Sequence, residues 1–221
     1  MSRPASVAMP AAPPLIRFLG QVDYLPTWRA MIDFTAARAA ATRDELWLCE
    51  HPPVYTLGQA GKPEHLLVDN GIPLVKVDRG GQVTYHGPGQ VVAYPLLDLN
   101  RRGLKVRQWV GRLEQAVIDL LAEHGVAARR LAGAPGVYVD RGGETARPAK
   151  IAALGLRIRR GCSYHGLSLN VGMELAPFSA INPCGHVGMP VTQTRDLGIE
   201  LTPAAASEAL ARHLIRQLES P

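Results

Sequence analysis

Between Leu104 and His124, apolar Val106, Trp109, Val110, Leu113, Val117, Leu120 and Leu121 recur by threes and fours, which predicts an amphipathic helix stopped by Gly125. A second helix is predicted near the C-terminus, where Thr202 can cap it, Pro203 suits its first position, and Ala206, Leu210, Leu214 and Leu218 give it an apolar face. A third opens at Pro26, with Trp28, Met31, Ile32, Thr35 and Ala39 near one side. The other apolar runs are short and predict strands at Leu15 to Leu19, Glu45 to Glu50, Leu74 to Asp78, Gln90 to Leu97, Gly136 to Val139, Ile151 to Ile158 and Ser163 to Val171. His51-Pro52-Pro53 ends the second strand, and Gly58, Gly61 and Pro63 mark a connecting segment. Polar turns at Arg141-Gly142-Gly143 and Arg160-Gly161 join the last strands as hairpins. Neighbouring strands on short turns, without strict alternation of strand and helix, predict an α+β fold: a mixed, mostly antiparallel β-sheet flanked by helices.

Composition narrows the setting. With 221 residues, 47% of them hydrophobic, the chain can bury a large core, and a single domain over 15–221 is expected after a flexible Ala/Pro tail at 1–14. That tail has no unbroken apolar run, so it reads as neither a secretory signal nor a membrane span. Three cysteines, Cys49, Cys162 and Cys184, make no disulfide framework and suit a reducing compartment, so a cytoplasmic protein is expected. A net charge of +5 favours an acidic partner. Nucleic acid is disfavoured, because only 5% of residues are aromatic and no basic stripe is interleaved with them. The arginines at 101, 102, 107, 157, 159 and 160 read first as solvated faces.

The candidate chemistry centres on Ile181-Asn182-Pro183-Cys184-Gly185, where turn residues hold a thiol at a loop surface. An isolated thiol is mostly protonated at neutral pH, so a nucleophilic cysteine needs a cation nearby. Lys150 lies at the mouth of the apolar strand Ile151 to Leu156, where partial desolvation would let it exchange protons; the plain alternative is a lysine snorkelling from a strand end. The segment Arg79-Gly80-Gly81-Gln82-Val83-Thr84-Tyr85-His86-Gly87-Pro88-Gly89-Gln90 matches neither a P-loop nor a dinucleotide fingerprint. Its glycines suit close approach to a ligand, or a structural hairpin. Cys162-x-x-His165 and Cys184-x-His186 do not have the spacing of a structural zinc site, and no metal or other cofactor is expected. His165 is expected to pack beside the site or to hydrogen-bond to it.

The runs HPPVYTLG at 51–58, RGGQVTYHGPGQ at 79–90, KIAALGLRIRRGCSYHGLSLNV at 150–171 and INPCG at 181–185 resemble the lipoyl(octanoyl) transferase family, and the likeness extends from about residue 15 to the end. The resemblance implies the fold of the biotin and lipoate protein ligase catalytic domain. It also implies transfer of an octanoyl group from octanoyl-acyl carrier protein to a lysine of a lipoyl domain. The acceptors implied are the lipoyl domains of 2-oxoacid dehydrogenase acyltransferase subunits and the glycine-cleavage H protein, with no nucleic acid and no membrane involved. Cys184 matches the family's acyl-thioester cysteine and Lys150 the lysine that lowers its pKa. Substrate contacts are implied for Arg79, Gly80, Gly81, Gln82, Val83, Thr84, Tyr85 and His86, for Ala153, Leu154 and Gly155, and for Gly166, Leu167 and Ser168.

Two features depart from the family pattern: Ser168 stands where alanine is more usual, and Gln193-Thr194-Arg195 has no assigned role. Backbone N–H groups near Gly166 to Ser168 are expected to hold the oxyanion, and Arg101, Arg102, Lys105 or Arg107 to form a rim for the acidic carrier protein. The rival readings are an ATP-dependent lipoate or biotin ligase, indifferent to Cys184, and a non-catalytic module binding acyl groups or nucleic acid.

Overall fold

The computed structural model describes residues 12–140, 147–182 and 188–220. The first eleven residues of the tail, the Arg141-Gly142-Gly143 turn and Cys184 fall outside the described residues. In order, the elements are β1 (Leu15–Gln21), α1 (Tyr24–Ala37), β2 (Glu45–Glu50), β3 (Val54–Leu57), β4 (Leu74–Lys76), β5 (Val83–His86) and β6 (Gln90–Leu96). Then come α2 (Val106–Glu123), β7 (Ala128–Leu131), β8 (Ala134–Val139), β9 (Ala149–Arg159), β10 (Cys162–Asn170) and α3 (Pro203–Glu219). Seven strands form one sheet in the order β1-β2-β6-β10-β9-β8-β7, and β4-β3-β5 form a second. The β1–β2 and β3–β4 pairs are parallel and the others antiparallel, so the architecture is the mixed α+β sheet with helices that the strand pattern predicts.

Alternation along the strands supplies the two buried faces of the large sheet. Leu46, Leu48, Val91 and Ala93 point to one side, where Trp109, Leu113, Val117 and Leu120 of α2 and Leu210 and Leu214 of α3 cover them. Trp47, Cys49, Val92 and Tyr94 point to the other side, beneath Met31 of α1. Burial on both faces explains why β2 reads as an unbroken apolar run. The small sheet has its own cluster, in which Tyr55 and Tyr85 pack with Phe178 and Ile181.

Local signals act as their physical chemistry requires. Thr202 accepts a hydrogen bond from the Ala205 N–H and caps α3, while Gly125 takes φ +74° just beyond α2. Arg160 and Gly161 both adopt positive φ in the two-residue β9–β10 turn, the twist that tight hairpins favour. Helix α1 starts at Tyr24, two residues before Pro26; the first-turn N–H groups have no intrahelical partner, so a proline fits inside that turn. The connecting segment after Pro53 contains strand β3, and the glycine segment contains β5. Among the described residues, no helix is long and apolar enough to cross a membrane.

Candidate active site

The glycine segment crosses the face of the large sheet opposite α2 and α3 and leaves a cleft between itself and strands β9 and β10. Gly155 and Gly166 are direct cross-strand partners, as are Ala153 and Ser168, so the floor of this cleft is nearly bare backbone. Arg79, Gly81, Gln82, Val83, Thr84 and His86 form one wall. Ala153, Leu154, Gly155, Gly166, Leu167 and Ser168 form the other. Two of the residues expected at the substrate face elsewhere. Gly80 donates its N–H to Leu156 O at 2.9 Å and docks the segment on β9, while Tyr85 turns to the far face of β5 and packs on Tyr55 and Phe178.

Arg79 lines the cleft, and its buried guanidinium donates to backbone carbonyls: to Thr56 O at 2.6 Å, Gln82 O at 2.8 Å and Gly80 O at 2.9 Å. It thereby holds the turn around Gly81, which adopts φ +87°. Beyond Thr84, Ala153 and Ser168 the cleft continues into a smaller recess lined also by Lys150, Asn170 and Val191. Lys150 is 3% exposed; its Nζ donates to Pro135 O at 3.2 Å and sits 5.1 Å from the centre of the Tyr138 ring. The chain past residue 188 pairs directly with this lysine, since Lys150 N–H donates to Pro190 O at 2.8 Å and Thr192 N–H to Lys150 O at 3.0 Å.

Gln193, Thr194 and Arg195, to which the motifs give no role, pin that same segment. Thr194 N–H donates to Asn170 O and its hydroxyl to Val171 O, both at 3.0 Å, and Gln193 Oε1 accepts from Met173 N–H at 2.7 Å.

Besides His165, expected beside the site, several residues at the cleft had no signal in the sequence beyond their polarity. Tyr24 and Tyr94 line it, and Tyr24 stacks on His86 with ring centres 5.7 Å apart. Asp78, adjacent to Arg79, accepts from His165 Nε2 at 2.8 Å, from Trp28 Nε1 at 3.0 Å and from the Tyr164 hydroxyl. His165 is buried, adopts φ +56° within β10, and lines the cleft. Left-handed backbone at a residue that is not glycine is costly and is kept where its surroundings enforce it; here Asp78 holds the ring, while Pro95, in the adjacent strand, brings no N–H to the pairing.

Burial sets the protonation of these groups. It drives the His86 pKa down to about 3, assisted by the nearby His51. It also lowers the His51 and His165 values, with Asp78 opposing the shift at His165. Burial pushes the Asp78 carboxyl up, but hydrogen bonds from His165, Tyr164 and Trp28 together outweigh it and hold that carboxyl well below the usual carboxylate range.

Two expectations change. Arg101 and Arg102 do not form a free basic rim. Together with Arg38 they converge on the buried Asp44 carboxylate, at 2.6 Å from Arg101 and 2.7 Å from Arg102, and the Arg102 side chain is 6% exposed. The backbone at Leu167 and Ser168 does not offer spare oxyanion donors, because β10 pairs there with β9 on one side and β6 on the other. Cys162 and His165 have separate partners: the thiol donates to Arg160 O and the imidazole hydrogen-bonds Asp78. No cluster of metal-ligating side chains occurs among the described residues.

The family described as the lipoyl protein ligase A/B catalytic domain matches residues 23–215. A protein of Dechloromonas aromatica named octanoyltransferase is 66% identical over 94% of this chain and 98% of its own length. Another of the same name from Azoarcus sp. is 62% identical over 94% of this chain and 89% of its own. Among solved structures, the bipartite lipoate protein ligase of Thermoplasma acidophilum superposes with a TM-score of 0.69 at 16% identity, covering 93% of this chain and 84% of that one. The biotin protein ligase of Aquifex aeolicus gives 0.56 at 11% identity, over 93% of this chain and 70% of its own. At such identities the likeness is one of fold.

Proposed function

The chain belongs to the lipoyl protein ligase A/B catalytic-domain family, and from that premise we propose that it moves an octanoyl group from octanoyl-acyl carrier protein to a lysine of a lipoyl domain through a thioester on Cys184. Octanoyl transfer is the activity for which its relatives are named. The acceptors are lipoyl domains of the 2-oxoacid dehydrogenase acyltransferase subunits and the glycine-cleavage H protein, reached in the cytoplasm by one catalytic domain spanning 15–221. The observation that supports this reading best is a buried lysine, Lys150, at the end of a cleft floored by backbone, with Pro190 and Thr192, a few residues after Cys184 in sequence, paired to it.

In the first step the Cys184 thiolate attacks the thioester carbonyl of the donor. The new C–S bond forms as the bond to the carrier's thiol breaks, and the leaving thiolate takes a proton from the Lys150 ammonium. In the second step the acceptor amine attacks the acyl-enzyme, gives its proton to the now neutral Lys150, and expels the Cys184 thiolate. Proton and charge return to their starting places. Thioester exchange is nearly balanced and amide formation is downhill, so no nucleotide is consumed. His86 and His165, held neutral by burial, add no charge to the cleft beside the glycine pair, where an acyl chain would lie.

The test is octanoylation of an unmodified lipoyl domain by the purified protein, octanoyl-acyl carrier protein and no ATP. A mass increment of one octanoyl group on the acceptor lysine is expected. Modification that requires ATP and free octanoate, and that persists in Cys184→Ala, would assign the chain to the ligase chemistry instead.

A further inference from the structure

We propose that Glu114 of α2 positions Lys150 and favours its ammonium form by acting through one intervening peptide. Glu114 is 6% exposed on a helix face otherwise occupied by Leu113, Ala116 and Val117, where a carboxylate has to be compensated. Its Oε2 accepts from Arg130 Nε at 3.0 Å, and its Oε1 accepts from the Gly136 N–H, also at 3.0 Å. The Gly136 N–H and the Pro135 C=O are the two ends of a single trans peptide, and that Pro135 oxygen receives the Lys150 Nζ at 3.2 Å. Carboxylate, N–H, C=O and ammonium therefore follow one another in line, each dipole oriented to strengthen the next.

The surroundings hold this peptide in place. Gly136 adopts φ +138°, and a Cβ there would meet Ala152 O at 2.7 Å and Lys150 Cε at 3.1 Å, so only a bare backbone lets the lysine approach. Tyr138 lies under Nζ and hooks its hydroxyl to Ala134 O at 3.0 Å. Facing the lysine from β5 and β10 are the uncharged Thr84, Ser168 and Asn170. Facing Glu114 are Arg130 and the carboxamide of Gln115, which itself accepts from Arg130 at 2.9 Å. The carboxylate thus fixes where the Pro135 oxygen points, and with it where Lys150 delivers a proton. This role rests on the reading that Lys150 carries the proton in both steps.

The experiment follows the Lys150 Cε resonance in protein labelled with ¹³C-lysine, assigned by its loss in Lys150→Met, across a pH titration of wild type, Glu114→Gln and Arg130→Gln. Glu114→Gln keeps shape and acceptor but removes the charge. Its Lys150 midpoint is expected to fall by about one pH unit, with acyl-enzyme formation from octanoyl-acyl carrier protein slowed roughly tenfold at pH 7 and KM within about twofold. Arg130→Gln removes the ion pair and leaves the carboxylate, so the midpoint should stay or rise. If Glu114→Gln does not fold, the same titration is read on Glu114→Asp, which withdraws the carboxylate from the Gly136 N–H and should also lower the midpoint. An unchanged midpoint, or an equal fall in Arg130→Gln, overturns the role given to Glu114. Full transfer activity in Lys150→Met would instead overturn the role of Lys150 itself, a separate result.

Discussion

Replacing Gly166 by alanine tests how tightly the cleft floor is drawn. A Cβ built there would lie 1.9 Å from Ala93 O and 2.7 Å from Pro95 Cδ, both on β6 and neither able to swing aside as a side-chain tip could. The methyl can be accommodated only by separating β10 from β6 at the cleft, and overpacking of this kind costs on the order of 1–3 kcal/mol or more. At about 2–4 °C per kcal/mol for a chain of this size, a fall in Tm of roughly 5–10 °C is expected. Two other glycines calibrate the result. At Gly155 the nearest atoms are Gly80 O at 2.9 Å and Arg79 Cδ at 3.0 Å, a milder collision with the turn docked on β9, so Gly155→Ala should lie between Gly166→Ala and wild type. At Gly111, inside α2, nothing lies within 4 Å, and Gly111→Ala should stabilise by about 1 kcal/mol from helix propensity alone. Differential scanning calorimetry on the three variants, paired with octanoyl transfer rates, reads both effects. Gly166→Ala with wild-type Tm and wild-type rate would refute the claim that β6, β10 and the cleft share a close backbone contact.

Other consequences follow from the same geometry. His51, His86 and His165 titrate below their unfolded value of about 6.5, so the unfolded chain binds the extra protons on acidification; stability is full above that pH and falls as pH drops toward the folded values, about 3 for His86, by up to about 1.4 kcal/mol per unit for each histidine. Urea midpoints at pH 7 and pH 5 check this, and equal midpoints would count against buried neutral imidazoles. Asp44→Ala leaves Arg38, Arg101 and Arg102 without their shared carboxylate and should cost about 3–5 kcal/mol; a Tm within 2–3 °C of wild type, on the order of 1 kcal/mol, would mean that the cluster is solvated. Lys150→Arg keeps a cation but exchanges its proton poorly, so acyl-enzyme should form more slowly and then stall before aminolysis, which single-turnover mass measurements resolve; normal turnover would exclude the proton-carrying role.

How far the sequence carried the reading depended on whether a feature is local. Helices α2 and α3 and strand β2 follow from periodicity, a threonine cap and a buried apolar run, all contained in a dozen or so neighbouring residues. Strand β5 is hidden because four residues between glycine turns carry no period, and β3 because it follows two prolines. Strand β7 is hidden because an edge strand can carry exposed arginines. At the site, the motifs named most of the cleft walls. They could not reveal Asp78 under His165, 87 residues away in sequence, or the Glu114 carboxylate behind Lys150, because the first pairing exists only once the segment after β4 lies against β10 and the second only once β8, β9 and α2 have packed. The rim changes for the same reason: Arg101 meets Asp44 across 57 residues, a carboxylate that the basic stretch itself does not show, while Lys105 and Arg107 stay exposed.

The central claim is tested most directly by the intact mass of the purified protein after incubation with octanoyl-acyl carrier protein alone, before and after neutral hydroxylamine. The account predicts one octanoyl increment on wild type, removed by hydroxylamine and never acquired by Cys184→Ala. An unlabelled wild-type protein with the donor intact, or an equal increment on Cys184→Ala, would contradict it.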